Sequence, residues 1–237
     1  MRSIAAYGFL ALYTLVLGPP VLLLSYLFSS ERLIIGAGFR GTAVALWLAG
    51  VRYRLIHAER MPASGAVYCL NHTSFLDLVS FMALYPHCPG LRVLYKAEFN
   101  SVPLLGRIFR MAGCIPIVRQ QQDLAFQAVD RSVEALQRGV SVLAAPEGTR
   151  SRDGALAPFK KGVFVMAIRA QVPIVPMAIH GARQALPKGA WRIRPVEITV
   201  TVTEPVPTTG LSYDDRQFLA DTVRDRIAQT LTTRQET

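Results

Sequence analysis

The sequence holds only three cysteines, Cys69, Cys88 and Cys114, an odd number with no CxxC spacing. No disulfide framework follows from them, and a reducing compartment is expected. Cys69 and Cys114 lie in strand-like runs, where a small buried hydrophobe is expected rather than a nucleophile. Histidine is scarce as well: His57, His87 and His180 show no ligand spacing with one another or with the cysteines, so no metal site is expected. Acidic side chains are few, 16 against 26 Lys and Arg, which gives a formal charge of +10 and a pI near 10.0. The basic residues are scattered, with no recognition-helix, zinc-finger or aromatic-interleaved pattern. That argues against nucleic acid and for an anionic membrane surface as the partner. No G-x-S-x-G elbow, internal repeat or low-complexity tract is present.

Charge is missing altogether from Ile4 to Phe28. As a helix this run would reach roughly 37 Å, more than a bilayer core. Gly18-Pro19-Pro20 interrupts it, and two prolines in succession remove two backbone donors, so a kink or a split into two helical pieces is expected. A second apolar stretch, Leu33 to Val51, carries only Arg40. Together they read as a helical hairpin that dips into the membrane, or as one crossing followed by an interfacial helix. A cleaved signal peptide fits poorly, because the apolar region is too long and Ser29-Ser30-Glu31-Arg32 is not a small-x-small site. Arg32, Arg40, Arg52, Arg54 and Arg60 outnumber the basic residues before the run, which places the remainder of the chain on the cytoplasmic side; a cell inner membrane is the expected location. The organisation expected is residues 1–54 as membrane-associated helices and 55–237 as one catalytic domain, within the size that one core can fill.

Beyond the apolar segment, Arg52 to Ser64 reads as a linker and leading strand. Strand-like runs then recur at Ala66 to Leu70, Leu91 to Tyr95, Cys114 to Val118, Val140 to Ala145, Ile174 to Ile179 and Val196 to Val202, with helical patterns between most of them. Such alternation predicts an α/β fold, a mostly parallel central sheet flanked by helices. Asp123 to Arg138 keeps helical spacing until Gly139, and Ser212 to Thr230 predicts an amphipathic outer helix.

Directly after the first of the central runs comes Asn71-His72-Thr73-Ser74-Phe75-Leu76-Asp77. On one continuous helix His72 and Asp77 would point roughly 140° apart, so one of them must precede the helix. If Thr73 or Ser74 caps it, His72 stays on the loop and Asp77 faces it from the second turn. A carboxylate on one ring nitrogen leaves the other free to take a proton from a substrate hydroxyl. Alone, these residues fit a plain capped helix better than an acid-base pair.

Farther along, Val140 to Ala145 runs into Pro146-Glu147-Gly148-Thr149-Arg150, a turn suited to an anion. Arg150 offers a planar fork of donors to phosphate oxygens, and Gly148 permits close backbone approach. Phe159-Lys160-Lys161-Gly162 adds two ammonium groups. In open α/β sheets ligands collect beyond the carboxyl ends of the strands, which would bring both motifs into one cleft.

The His-four-residues-Asp pair together with Glu147-Gly148-Thr149-Arg150 resembles the glycerolipid acyltransferase family, whose best-known members are the 1-acyl-sn-glycerol-3-phosphate acyltransferases. Gly113 to Arg119 and Val172 to Pro176 resemble two further blocks of that family, in the same order. Two positions depart from its pattern: Ala145 stands where an aromatic residue is frequent, and Val118 where an acidic residue is common. The resemblance implies a glycerol-3-phosphate acyltransferase-like fold and transfer of an acyl group from acyl carrier protein or coenzyme A to the free sn-2 hydroxyl of a lysophospholipid. The product would be phosphatidic acid, and no cofactor beyond the thioester co-substrate is implied. Another lysolipid, such as lyso-ornithine lipid, is the alternative acceptor. On this reading His72 is the general base and Asp77 orients it. Arg150 clamps the phosphate, and Gly148 and Thr149 line that turn. Lys96, Arg119 and Lys160 or Lys161 are auxiliary cations. Glu147 holds Arg150 or accepts a hydrogen bond from the glycerol hydroxyl.

Overall fold

Val67–Leu70, Val142–Ala144 and Ile174–His180 are apolar at almost every position, as strands covered on both faces must be. The computed structural model describes residues 1–102, 105–118 and 122–233. It places these runs, as β2, β5 and β6, at the centre of a seven-stranded sheet. The other strands are β1 (Arg52–Ile56), β3 (Arg92–Lys96), β4 (Ile115–Ile117) and β7 (Glu197–Val202). Their order is β1-β7-β6-β2-β5-β3-β4. Every neighbouring pair is parallel except β6 with β7. The helices are α1 (Arg2–Leu27), α2 (Glu31–Ala49), α3 (Val79–Leu84), α4 (Leu105–Met111), α5 (Gln122–Gln137), α6 (Gly162–Ala170), α7 (Ala182–Ala185) and α8 (Arg216–Thr233).

Alternation along each strand divides the core in two. Tyr68 and Leu70 of β2, with Leu143, Met177 and Ile198, pack on the side of α1, α2, α3 and α7. Val67 and Cys69, with Val142, Ala144 and Ile174, pack on the side of α5, α6 and α8. The sequence reading of an α/β fold with helices on both faces of a mostly parallel sheet therefore holds. The last helix starts later than its amphipathic pattern does: Ser212 caps a single 3-10 turn, Tyr213–Asp215, and α8 then buries Leu219, Val223 and Ile227 at helical spacing.

The N-terminal hairpin differs from its sequence expectation in one respect. α1 is a single helix that runs through Pro19 and Pro20 without dividing. Proline's φ of about −65° is itself helical, so the pair removes two rungs of the ladder without ending the helix, and packing against α2 holds the two halves together. That packing is close at Gly41, where a Cβ would come within 2.7 Å of the Tyr13 ring. Tyr13 also donates its hydroxyl to the Ala37 carbonyl at 2.9 Å. Both ends of α1 touch the α/β domain. Near its start the Tyr7 hydroxyl donates to the Trp191 carbonyl at 2.9 Å, and Ser3 exchanges hydrogen bonds with the Ile193 backbone. At its last turn the Arg107 guanidinium lies over the Tyr26 ring, 5.9 Å from its centroid. α2 adds an ion pair from Glu31 to Arg92 at 2.9 Å and a cluster of Phe39 with Phe81 and Tyr85. The far surface of the hairpin stays apolar and open, with Leu15 74 %, Phe28 70 % and Trp47 76 % exposed. Both helices are long and apolar enough to cross a membrane. β1 begins two residues after the helix-ending Gly50 and pairs with β7, so it spans position 54/55 and belongs to the sheet.

Candidate active site

β6, β2, β5, β3 and β4 are mutually parallel, so the segments leaving their carboxyl ends meet at one edge of the sheet. His72 follows β2, the Pro146–Arg150 turn follows β5, Lys96 ends β3 and Ile117 ends β4. His72, Lys96, Ile117, Gly148, Thr149 and Arg150 line one cavity of about 580 Å³. Lys188, from the turn after α7, lines it too.

The loop around His72 is built by its own polar residues. Ser74 is the cap: its hydroxyl accepts from the Leu76 amide at 3.0 Å, and it starts a 3-10 turn, Phe75–Leu78, that leads into α3. Asp77 therefore sits in the first turn, not the second as its spacing suggested, at the position from which a carboxylate reaches back to the cap. One oxygen, Oδ2, accepts from the amides of Thr73 at 2.8 Å and Ser74 at 2.9 Å, and meets His72 Nδ1 at 2.7 Å. A carboxylate has no proton to give, so Nδ1 donates and Nε2 keeps its lone pair. Asp77 is 4 % exposed and the imidazole 30 %, so the carboxylate is shielded while His72 lines the cavity. Asn71 fixes the strand end, exchanging two hydrogen bonds with the Ile179 backbone of β6 at 2.7 and 3.1 Å.

Glu147 takes a role different from either expected one. It is buried, and its Oε1 accepts from the His72 amide at 2.6 Å while Oε2 accepts from the Ala157 amide at 3.0 Å. The Ser151 amide donates to the His72 carbonyl at 2.7 Å. Both backbone groups of His72 are thus held by the segment that carries Arg150, which is how two distant motifs acquire a fixed spacing. Gly148, at φ +72°, turns the chain between Glu147 and Arg150 in a conformation that a side chain would strain.

Burial pushes the Glu147 carboxyl above its ordinary value near 4.5, against the pull of the two amides. A carboxyl that binds its proton more tightly folded than unfolded contributes most below its ordinary range. That contribution fades as pH rises from there through the raised value. Wild-type unfolding free energy, measured against Glu147→Gln across that window, is expected to fall with rising pH relative to the variant. A flat or rising difference would contradict this.

The remaining expected cations divide. Lys96 lines the cavity and pairs with Glu98 at 3.2 Å. Lys160 is not in the His72 cavity: it lines a smaller, mainly apolar one of about 210 Å³, between α5, α6 and the Pro146 turn. Its amide donates to the Pro146 carbonyl at 2.9 Å. Lys161 caps α6 and is exposed. Arg119 lies outside the described residues. Lys188 was not singled out from the sequence, although a lysine in a Pro-Lys-Gly turn beyond a core strand was the available signal.

A family model described as Acyltransferase matches residues 52–180, more than half of the chain. The chain belongs to the acyltransferase family. The match begins at β1 and ends with β6, so it takes in His72, Asp77 and the Glu147–Arg150 turn. A 1-acyl-sn-glycerol-3-phosphate acyltransferase of Limnanthes douglasii is 36% identical over 172 residues, 72% of this chain and 60% of the plant protein. The human 1-acyl-sn-glycerol-3-phosphate acyltransferase alpha is 35% identical over 181 residues, 75% of this chain and 63% of the human one. The chain thus spans less than two thirds of the length of these relatives. The crystal structure of the 1-acyl-sn-glycerophosphate acyltransferase PlsC from Thermotoga maritima shares the fold, with a TM-score of 0.73 over 97% of this chain and 98% of that one at 22% identity.

Proposed function

We propose that this acyltransferase moves a fatty acyl group from an acyl thioester, on acyl carrier protein or coenzyme A, to the sn-2 hydroxyl of 1-acyl-sn-glycerol 3-phosphate, giving phosphatidic acid. The observation that carries the reading is the shared cavity: His72, aligned by Asp77, opens into the same space as Arg150 and Lys96. A base and cations in one cleft suit an acceptor that bears a hydroxyl and a phosphate together. The names of the relatives point the same way.

His72 Nε2 takes the hydroxyl proton as the oxygen attacks the thioester carbonyl, and Asp77 stabilises the imidazolium that results. Collapse of the tetrahedral intermediate expels the thiolate, which takes the proton back from His72. The thioester is already activated, so no acyl-enzyme and no further cofactor enter the scheme. Arg150 presents its fork to the phosphate, and Lys96 adds a point charge.

The hairpin suits a bilayer surface. α1 has 26 residues, about 39 Å of helix, and is fastened to the domain near both its ends, so the domain lies alongside it. Charged groups at its turn, Glu31, Arg92 and Arg107, are costly in hydrocarbon. A hairpin lying in one leaflet, apolar face inward, satisfies both conditions and keeps the cavity at headgroup depth. The cytoplasmic face of the inner membrane, where acyl thioesters are available, is the proposed location.

The test is an acceptor panel with the purified protein in vesicles: lysophosphatidic acid, lyso-ornithine lipid and other lysophospholipids, each with acyl carrier protein and coenzyme A thioesters. Phosphatidic acid formation matched to thiol release is the expected result. Free fatty acid without acceptor acylation would mark a hydrolase, and preferential acylation of lyso-ornithine lipid would replace the proposed acceptor.

A further inference from the structure

One short segment touches both halves of the site. The Ser74 hydroxyl donates to the Leu186 carbonyl at 2.7 Å, and Pro187 bridges to Ser74 through the backbone. The next residue, Lys188, donates from Nζ to the Arg150 carbonyl at 2.7 Å and approaches the Thr149 hydroxyl at 3.5 Å. Its side chain is half-buried and lines the cavity with His72, Lys96 and Arg150. Among the described residues no carboxylate lies within ion-pair distance of Lys188 or Arg150. Two partly desolvated cations therefore share one space, and a carbonyl and a distant hydroxyl leave the ammonium a third N–H to place. An anion between the two cations removes their repulsion and fills that donor.

We propose that Lys188 is a second ligand, with Arg150, for the phosphate of the acyl acceptor, and that its bond to the Arg150 carbonyl sets the anion turn against the His72–Asp77 loop. The proposal rests on the acceptor reading given above and adds a residue to it. Arg150 contributes a two-pronged fork, whereas Lys188 contributes a point charge beside it, which favours a tetrahedral dianion over a neutral headgroup. Ammonium and backbone contact together make this turn a selector of headgroup charge as well as a clasp.

Lys188→Met keeps the length of the side chain and removes its charge. Losing one charge-assisted contact to phosphate is expected to lower kcat/KM for lysophosphatidic acid about ten- to hundredfold, mainly through KM. The KM for the thioester should stay unchanged, and the preference for lysophosphatidic acid over 1-monoacylglycerol should shrink. Lys188→Arg should restore much of that preference. If Lys188→Met lowers turnover of both acceptors by one factor, the residue only supports the loop and the proposal is overturned. A binding arm separates this result from failure of the acceptor reading. sn-Glycerol 3-phosphate should protect Lys188, more than glycerol does, from amine acetylation read by mass spectrometry on the membrane-bound wild type. Protection without acylation of lysophosphatidic acid would retain the phosphate ligand and discard the acceptor, and equal labelling with both compounds would discard Lys188.

Discussion

Replacing His72 by alanine is expected to lower kcat by about 10²- to 10⁴-fold, the range spanned by a positioned base, with little change in either KM. Among the described residues the imidazole makes no hydrogen bond other than that to Asp77, and the His72 backbone bonds to Glu147 and Ser151 survive truncation. Asp77→Asn should come second. An amide oxygen can take over the bonds from Thr73, Ser74 and the ring, so the loop should keep its shape. The negative charge that stabilises the imidazolium is lost, and an NH₂ would occupy the buried place of Oδ1, which has no partner among the described residues. Turnover of phosphatidic acid formation, with thermal unfolding as a control for folding, checks both. Near-wild-type turnover in folded His72→Ala would remove the general-base assignment.

Arg150→Ala is expected to produce the second large effect, and of a different kind. Its guanidinium lines the cavity and has no carboxylate partner among the described residues, so its donors are free for substrate. Its carbonyl, by contrast, holds Lys188 and remains in the alanine variant. Loss of a charge-assisted pair should therefore cost about ten- to a few hundredfold in kcat/KM for a phosphate-bearing acceptor, leaving the thioester KM near its original value. Arg150→Lys should recover only part, because an ammonium cannot reproduce the two-pronged contact. Equal losses with acceptor and thioester would show that Arg150 shapes the turn and does not hold the phosphate.

Much of this was readable from the chain because the relevant signals are local. Unbroken apolar runs mark strands covered on both faces, and β2, β5 and β6 lie where such runs occur. Ser74 with Asp77 three residues on is a capping pattern, and it placed the imidazole on the loop before the helix. Less local features were misread. Glu147 was assigned to Arg150 or to the substrate hydroxyl, yet its oxygens serve the His72 and Ala157 amides. Lys160 falls into the neighbouring apolar cavity, since the turn that carries it folds back on Pro146. Lys188 carries no motif of its own and becomes notable only beside Arg150. The split of α1 at its prolines did not occur, because a missing donor weakens a helix without dictating where it ends.

The sequence by itself determined the α/β class, the pairing of His72 with Asp77, the glycine turn that carries Arg150 beyond β5 and the apolar reach of the N-terminus. Each depends on periodicity, capping chemistry or charge within a few residues. Only the tertiary structure decided that Glu147 and Ser151 clamp the His72 backbone, that the 187–188 turn joins the two motifs, and that α1 is fastened to the domain near both ends. Those contacts join segments from about forty to almost two hundred positions apart, and most of their partners are backbone amides and carbonyls, which every residue possesses and no sequence pattern marks.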